Sequence, residues 1–301
     1  MKNSLVSEVA SLFSRKGFQV VSCDGMQSSF DVLAKSEDTL FLVKVLSNIE
    51  GLTPEKSNEL KKVSSILDAT PLIVGERIKS TNLELGVLYE RYGLHVVSPK
   101  TLKNLLVDEA PKTYAIRGNY CVRLNPKRLA QIRSDSGLTQ DALAKCLGVS
   151  KQSVYRYERD GRVSSFIARN IVEFFGEDED LFLASDLFNP DFSGGDFEFH
   201  GYVSDMKRQA LEFFREIGFE ASLTKAPFDI VLKDEEMIFT AVSNDWRRLR
   251  HRIEILEDIS DTVGGLEVCI TERTKSVGGS VLKPEDLSGF KTCREFIQML
   301  S

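Results

Sequence analysis

The most constraining feature of this chain is a run of about fifty residues in which every helix start and stop is spelled out locally. Asn125 precedes Pro126, a pairing that caps a helix and begins it where a missing N–H costs nothing. Leu129 and Ile132 supply an inward face, and Gly137 ends the segment. Thr139 then caps a second helix, Gln140–Leu147, with Leu143, Ala144 and Leu147 inward. Gly148-Val149 makes a tight turn, and Ser150 caps a third helix, Lys151–Arg159, with Val154 and Tyr157 inward. A fourth helix near Ser165–Phe175 offers Ile167, Ile171 and Phe174 to the same core.

Two short helices joined by Gly-Val-Ser are the physical content of a helix-turn-helix, because glycine allows the positive φ that the turn needs. The first turn of the third helix then faces a major groove. Lys151, Gln152, Tyr155 and Arg156 lie opposite Val154 and Tyr157. Glutamine suits adenine edges, and Lys and Arg suit guanine O6 and N7. Gln140, at a helix start, is placed to reach a backbone phosphate. Charge agrees: residues 123–175 hold ten Lys or Arg against five Asp or Glu, a local +5 in a chain of net charge −6. A basic module inside an acidic protein is the footprint of a DNA-binding surface.

Residues 138–150, Leu-Thr-Gln-Asp-Ala-Leu-Ala-Lys-Cys-Leu-Gly-Val-Ser, with Val154-Tyr155-Arg156-Tyr157-Glu158, resemble the Cro and λ-repressor-like (XRE) helix-turn-helix family. The resemblance implies that Gln140 touches the DNA backbone and that Lys151, Gln152, Ser153 and Arg156 approach bases. It also implies a structural ion pair between Arg133 and Glu158. Tyr155 is bulkier than the family pattern. With Ser150 and Arg159, these residues form the expected DNA-binding set. The whole chain, including a tyrosine-rich hairpin at Tyr114–Arg123, looks like an archaeal XRE-type regulator family.

The flanks read as α/β. In residues 1–107 an amphipathic helix (Val6, Val9, Ala10, Phe13) ends at Gly17. Strands are expected at 18–21, 30–34, 40–46 and 72–75, helices near 55–67, 83–92 and 99–106, and a short strand at 96–97. Residues 108–125 form a connector hairpin around Gly118-Asn119, 126–185 the helix-turn-helix domain, and 186–196 a linker with Asn189-Pro190 and Gly194-Gly195 as breakers. Residues 197–301 read as a second α/β domain repeating the first: Phe228-Asp229-Ile230-Val231-Leu232-Lys233 matches Phe30-Asp31-Val32-Leu33-Ala34-Lys35. The expected class is therefore multidomain α/β plus all-α, with a central λ-repressor-like bundle between two similar small domains.

The first block also looks like a PD-(D/E)xK nuclease fold, in which clustered carboxylates hold Mg²⁺ beside a lysine. Asp31 and Lys44 suit their places, but the second acid position is Leu42; in the third block the corresponding places read as Thr240 and Val242. This favours a degenerate, non-enzymatic scaffold with no metal or cofactor. The run Trp246–Arg252 reads as a helix with Leu249 and Ile253 inward, its basic face solvated and balanced by Glu254, Glu257 and Asp258.

No 18-residue apolar run and no signal-like start are present, and the five cysteines are widely separated, so a cytoplasmic protein with reduced thiols is expected. The expected function is sequence-specific binding of double-stranded DNA as a homodimeric transcription regulator. The flanking domains would serve dimerisation, ligand sensing or contact with the transcription machinery, with no membrane role. The competing readings are a nuclease targeted by the same motif and a protein-interaction adaptor.

Overall fold

The computed structural model describes residues 2–23, 26, 28–107, 113–116, 119–176, 178–183, 203–273 and 280–300. In chain order it gives α1 (Lys2–Ser14), β1 (Gln19–Ser22), β2 (Val32–Lys35), β3 (Leu40–Asn48), α2 (Pro54–Ile66), β4 (Thr70–Ile78), β5 (Thr81–Asn82), β6 (Val87–Arg91), β7 (Leu94–Val97) and α3 (Pro99–Leu105). The middle holds β8 (Thr113–Ile116), β9 (Asn119–Arg123), α4 (Pro126–Asp135), α5 (Gln140–Leu147), α6 (Lys151–Asp160), β10 (Arg162–Ser164) and α7 (Ser165–Phe175). Then come α8 (Asp205–Glu216), β11 (Glu220–Leu223), β12 (Ile230–Lys233), β13 (Met237–Val242), α9 (Trp246–Val263), β14 (Leu266–Ile270), β15 (Val281–Leu282), α10 (Pro284–Leu287) and α11 (Cys293–Leu300).

The chain divides into two compact units. One comprises Met1–Ser47, Leu52–Leu72 and Asp191–Ser301; the other comprises Asn48–Gly51 and Ile73–Pro190. The segment 186–196, expected to be a linker, and Arg117-Gly118 of the expected turn lie outside the described residues.

Within the first unit, two stretches share the order helix, three strands, helix. In the N-terminal stretch β1, β2 and β3 pair antiparallel, with Val21 opposite Leu33 and Val32 opposite Val43. In the C-terminal stretch β11, β12 and β13 repeat this ladder, with Ser222 opposite Val231 and Ile230 opposite Thr240. There α9 carries the chain across to β14, which pairs parallel to β13, as a helical crossover allows. Each stretch buries an aromatic from the end of its first helix against one just beyond a positive-φ glycine. Phe13 meets Phe18 edge-on at 5.2 Å, and Phe214 meets Phe219 at 6.1 Å. Burial of each such ring stabilises by about 1.5–3 kcal/mol.

The two stretches also touch each other. The rings of Phe30 and Phe228 stand 6.2 Å apart, the Ser29 amide donates to Ala226 O at 2.8 Å, and Lys35 Nζ donates to Val263 O at 3.1 Å. The N-terminal half of α9 exposes Arg247 and Arg250 as expected, with one exception. Leu249 and Ile253 are buried, but the Arg252 side chain is only 13% exposed and pairs with Asp229 at 2.8 Å. That carboxylate draws it inward.

In the second unit the sheet order is β4-β7-β6-β8-β9-β10, with β5 on β4. Residues 83–92, expected to be helical, instead lead into strand β6. Arg91 faces Leu94 across a two-residue turn, Tyr92-Gly93, whose φ angles are both positive. That turn matches the twist of a hairpin and sets the strand. The helical bundle of α4 to α7 packs around Leu129, Leu143, Leu147, Val154, Ile167 and Ile171, all buried. Phe174, expected inward, is 47% exposed. Ile167, Ala168 and Ile171 fill the inner face of α7, and Phe175, four residues beyond Ile171, closes it.

Candidate nucleic-acid interface

The caps written in the sequence are made in the structure. The Asn125, Thr139 and Ser150 side chains accept from the amides of Arg128, Ala142 and Ser153 at 3.3, 3.1 and 3.1 Å. Gly148 closes α5 with φ +66°, and α6 starts three residues later. Each cap satisfies a donor that the helix start would otherwise leave open, stabilising by about 1 kcal/mol. The turn therefore fixes α6 against α5 through short-range contacts.

A polar brace adds a longer-range constraint. Arg133 of α4 donates through Nη2 to Glu158 Oε2 at 3.2 Å and through Nη1 to Leu138 O at 2.7 Å. Gln140 Nε2 donates to the same Glu158 Oε2 at 2.7 Å. Glu158 is 8% exposed and Arg133 17%. One carboxylate thus ties α4, α5 and α6. Gln140 is half-buried, with its amide nitrogen turned toward the protein.

Outside this brace α6 presents Lys151, Gln152, Tyr155 and Arg156, all exposed. Tyr155 is 53% exposed. Ser150 is exposed, but its hydroxyl serves the cap and lies 2.9 Å from that of Ser153. Ser153 is half-buried and accepts from Arg156 Nη2 at 3.4 Å. Arg159 is exposed, yet its guanidinium is held by Asp160 at 2.6 and 2.7 Å and lies 5.9 Å from the centre of the Tyr155 ring. So Lys151, Gln152, Tyr155 and Arg156 share one open face, Gln140 and Ser153 sit at its margin, and Arg159 is engaged by a neighbour. Absent from the sequence-based set is Arg162, exposed on β10. Its strand has three residues and forms only against β9.

The helical module is anchored behind this face. Arg128 donates to both oxygens of Asp178, at 2.6 Å for the shortest pair. The hydrogen bond from Arg128 holds the Asp178 carboxyl below the usual carboxylate range and raises Arg128 in turn.

Comparison with known proteins matches residues 127–183 to a helix-turn-helix domain and residues 2–111 to a PD-(D/E)XK superfamily domain. A protein of Methanocaldococcus jannaschii named "Putative HTH-type transcriptional regulatory protein" is 32% identical over 90% of this chain and 87% of its own length. Relatives of the same description from Archaeoglobus fulgidus and Thermococcus gammatolerans are each 30% identical, over 100% and 99% of this chain and 98% and 96% of their own. The chain belongs to this archaeal family of HTH-type regulatory proteins. No solved structure matches it.

In this family member the PD-(D/E)XK match raises the question of a magnesium site, and the residues present do not fit one. Asp31 is 3% exposed. Its Oδ1 accepts from Lys2 Nζ at 2.9 Å and Lys44 Nζ at 3.3 Å, and its Oδ2 accepts from the Val45 amide at 2.8 Å. The position two before Lys44 is Leu42, fully buried and opposite Leu33. No second carboxylate lies there to share a cation. Burial pushes Lys44 below its ordinary range, offset in part by Asp31.

The C-terminal stretch is further from a nuclease site, and the register corrects the sequence reading. The Asp31 amide donates to Val43 O and the Asp229 amide to Thr240 O. Val43 therefore corresponds to Thr240, so Leu42 and Lys44 correspond to Phe239 and Ala241, not to Thr240 and Val242. The one-residue slip arose because the loop between the strands differs in length. Asp229 accepts from Lys207 Nζ at 2.7 Å, pairs with Arg252 at 2.8 Å, and accepts from the Val242 amide at 2.8 Å. Among the described residues, no group of three or more His, Cys, Asp or Glu is placed to hold a metal ion.

Proposed function

We propose that this protein is a sequence-specific regulator of transcription, of XRE type, whose α6 enters the major groove of duplex DNA. The observation that supports this best is the open row Lys151, Gln152, Tyr155 and Arg156 on a helix braced from behind by Glu158. Bases are read well only when the reading side chains project from a rigid element. Ser150, Ser153, Gln140 and Arg159 complete the contact set, Gln140 toward phosphate. The names of the relatives agree with regulation through DNA.

The protein acts as a homodimer on an inverted repeat with half-sites about one helical turn apart, because one such module reads a single half-site. Residues 1–107 and 197–301, on either side of the 126–185 module in sequence, carry a duplicated α/β scaffold, with 108–125 and 186–196 as connectors. The equivalent ladders at Asp31 and Asp229 favour that reading. The scaffold has no catalytic role and serves assembly or contact with the transcription machinery, in the cytoplasm.

Selection from random duplexes, followed by binding of wild type and Lys151→Ala/Arg156→Ala to the enriched site, tests the assignment. Each lost base contact should weaken the preferred site by roughly 1–3 kcal/mol and leave weak salt-sensitive binding in place. No enriched sequence for the wild type would overturn it.

A further inference from the structure

The basic surface does not stop where α6 stops. Gly161, with φ +67°, turns the chain out of the helix, and β10 begins with Arg162 directly opposite Arg123 of β9. Residues directly opposite in an antiparallel pair project on one face, where like charges repel. Beside them lies a cleft of about 390 Å³, walled by Arg156, Tyr157, Asp160 and Arg162 among the described residues. A water takes up only about 30 Å³ of liquid, so a larger, hydrated group has room there.

Asp160 is an unusual wall residue. It sits in the last turn of α6, where the helix dipole disfavours an acid. What holds it is arginine: Arg159 grips both oxygens, and Arg156 and Arg162 add to the positive field that keeps its carboxyl below the usual range. An internal anion thus lies on the cleft wall, paired with Arg159 and within the field of Arg156 and Arg162.

The position suits DNA. A ten-residue helix is about 15 Å long, and the major groove is about 12 Å wide. With Lys151 at base edges, the far end of α6 reaches the groove wall, which is phosphate. We propose that the cleft between α6 and β10 takes one backbone phosphate of the duplex, held by Arg162, and that Asp160, an anion on the same wall, limits the affinity of that site by repulsion. This rests on the DNA-binding reading above and adds to it a phosphate site and a built-in restraint on non-specific affinity.

Titrating a labelled duplex carrying the enriched site, and a scrambled one, between about 50 and 200 mM salt tests the proposal. Arg162→Ala should weaken both duplexes equally, by about fivefold, and shrink the slope of log affinity against log salt by about one. Arg162→Lys should restore much of the slope. Asp160→Asn should tighten both duplexes, a gain that a folding defect cannot imitate. Site preference with an unchanged Arg162→Ala slope, or weaker binding by Asp160→Asn, would overturn the cleft assignment alone. A wild type with no salt-sensitive binding would overturn the DNA-binding reading, and the cleft with it.

Discussion

Replacing Glu158 by alanine should loosen the whole reading module. The change removes the acceptor for Arg133 and Gln140 together and leaves the 17% exposed Arg133 side chain with only Leu138 O. Breaking a fully buried ion pair costs about 3–5 kcal/mol. Partial exposure of Arg133 lets water recover some of that, so about 2–4 kcal/mol is expected here. Glu158→Gln keeps a neutral acceptor and should cost about half as much, since charge-assisted bonds are roughly twice as strong as neutral ones. Amide hydrogen exchange in α5 and α6 reads the effect locally, which suits a chain of several units better than a single melting temperature. At 1.4 kcal/mol per tenfold, protection should fall by about 30- to 700-fold. The double variant Arg133→Ala/Glu158→Ala should cost less than the sum of the single changes. Unchanged protection in Glu158→Ala, or strict additivity, would show that the brace carries no energy.

Gly161→Ala should destabilise the module more than Gly148→Ala. Both glycines have φ near +66° and lose about 1–2 kcal/mol with a Cβ in that region. At 161 the Cβ would also strike Leu124 O, whereas at 148 nothing lies within 4 Å; equal losses in thermal melts would contradict this. Asp178 should titrate below its ordinary 3.8 by carboxyl NMR, because Arg128 donates to it. Its folded-state value is depressed, so its contribution is present above 3.8 and fades as pH falls through the folded value; a midpoint at or above 3.8 would refute the pairing. Asp31→Ala should cost about 3–5 kcal/mol by leaving the buried Lys44 without its counter-charge, with only Ser28 O to accept from it, and the wild type should not cut plasmid in Mg²⁺ or Mn²⁺. A stable Asp31→Ala protein, or cleavage abolished by that change, would reverse this view.

What could be seen in the sequence was what local chemistry decides. Asn125-Pro126, Thr139, Gly148 and Ser150 each act on residues two to four positions away, and their helices stand where those signals point. Leu83–Tyr92 misled because its apolar spacing suits a helix, while the hairpin that forms depends on Tyr92, a poor turn former, accepting φ +52° beside Gly93. Arg162 escaped notice because β10 exists only through β9, some forty residues earlier. From sequence alone Arg252 reads as solvated, because its partner, Asp229, lies 23 positions away and is brought to it by the fold. Such pairings have no local signature.

The two aspartates do the same structural work at equivalent positions of the two ladders. Asp31 and Asp229 each use one oxygen to accept from a strand amide, Val45 or Val242, and each carboxylate is also paired with two cations from different elements. In one stretch the cations come from α1 and β3, in the other from α8 and α9. The strand-amide bond is shared by both, while the charged partners differ. The shared part is therefore a need of the ladder itself: a buried acceptor that ties the second strand to the third. The cations are local solutions to burying its charge, since an unpaired carboxylate there would be costly. Leu42 and Phe239, at equivalent places on the two third strands, are both fully buried and apolar, so the same core packs beside each aspartate-bearing ladder.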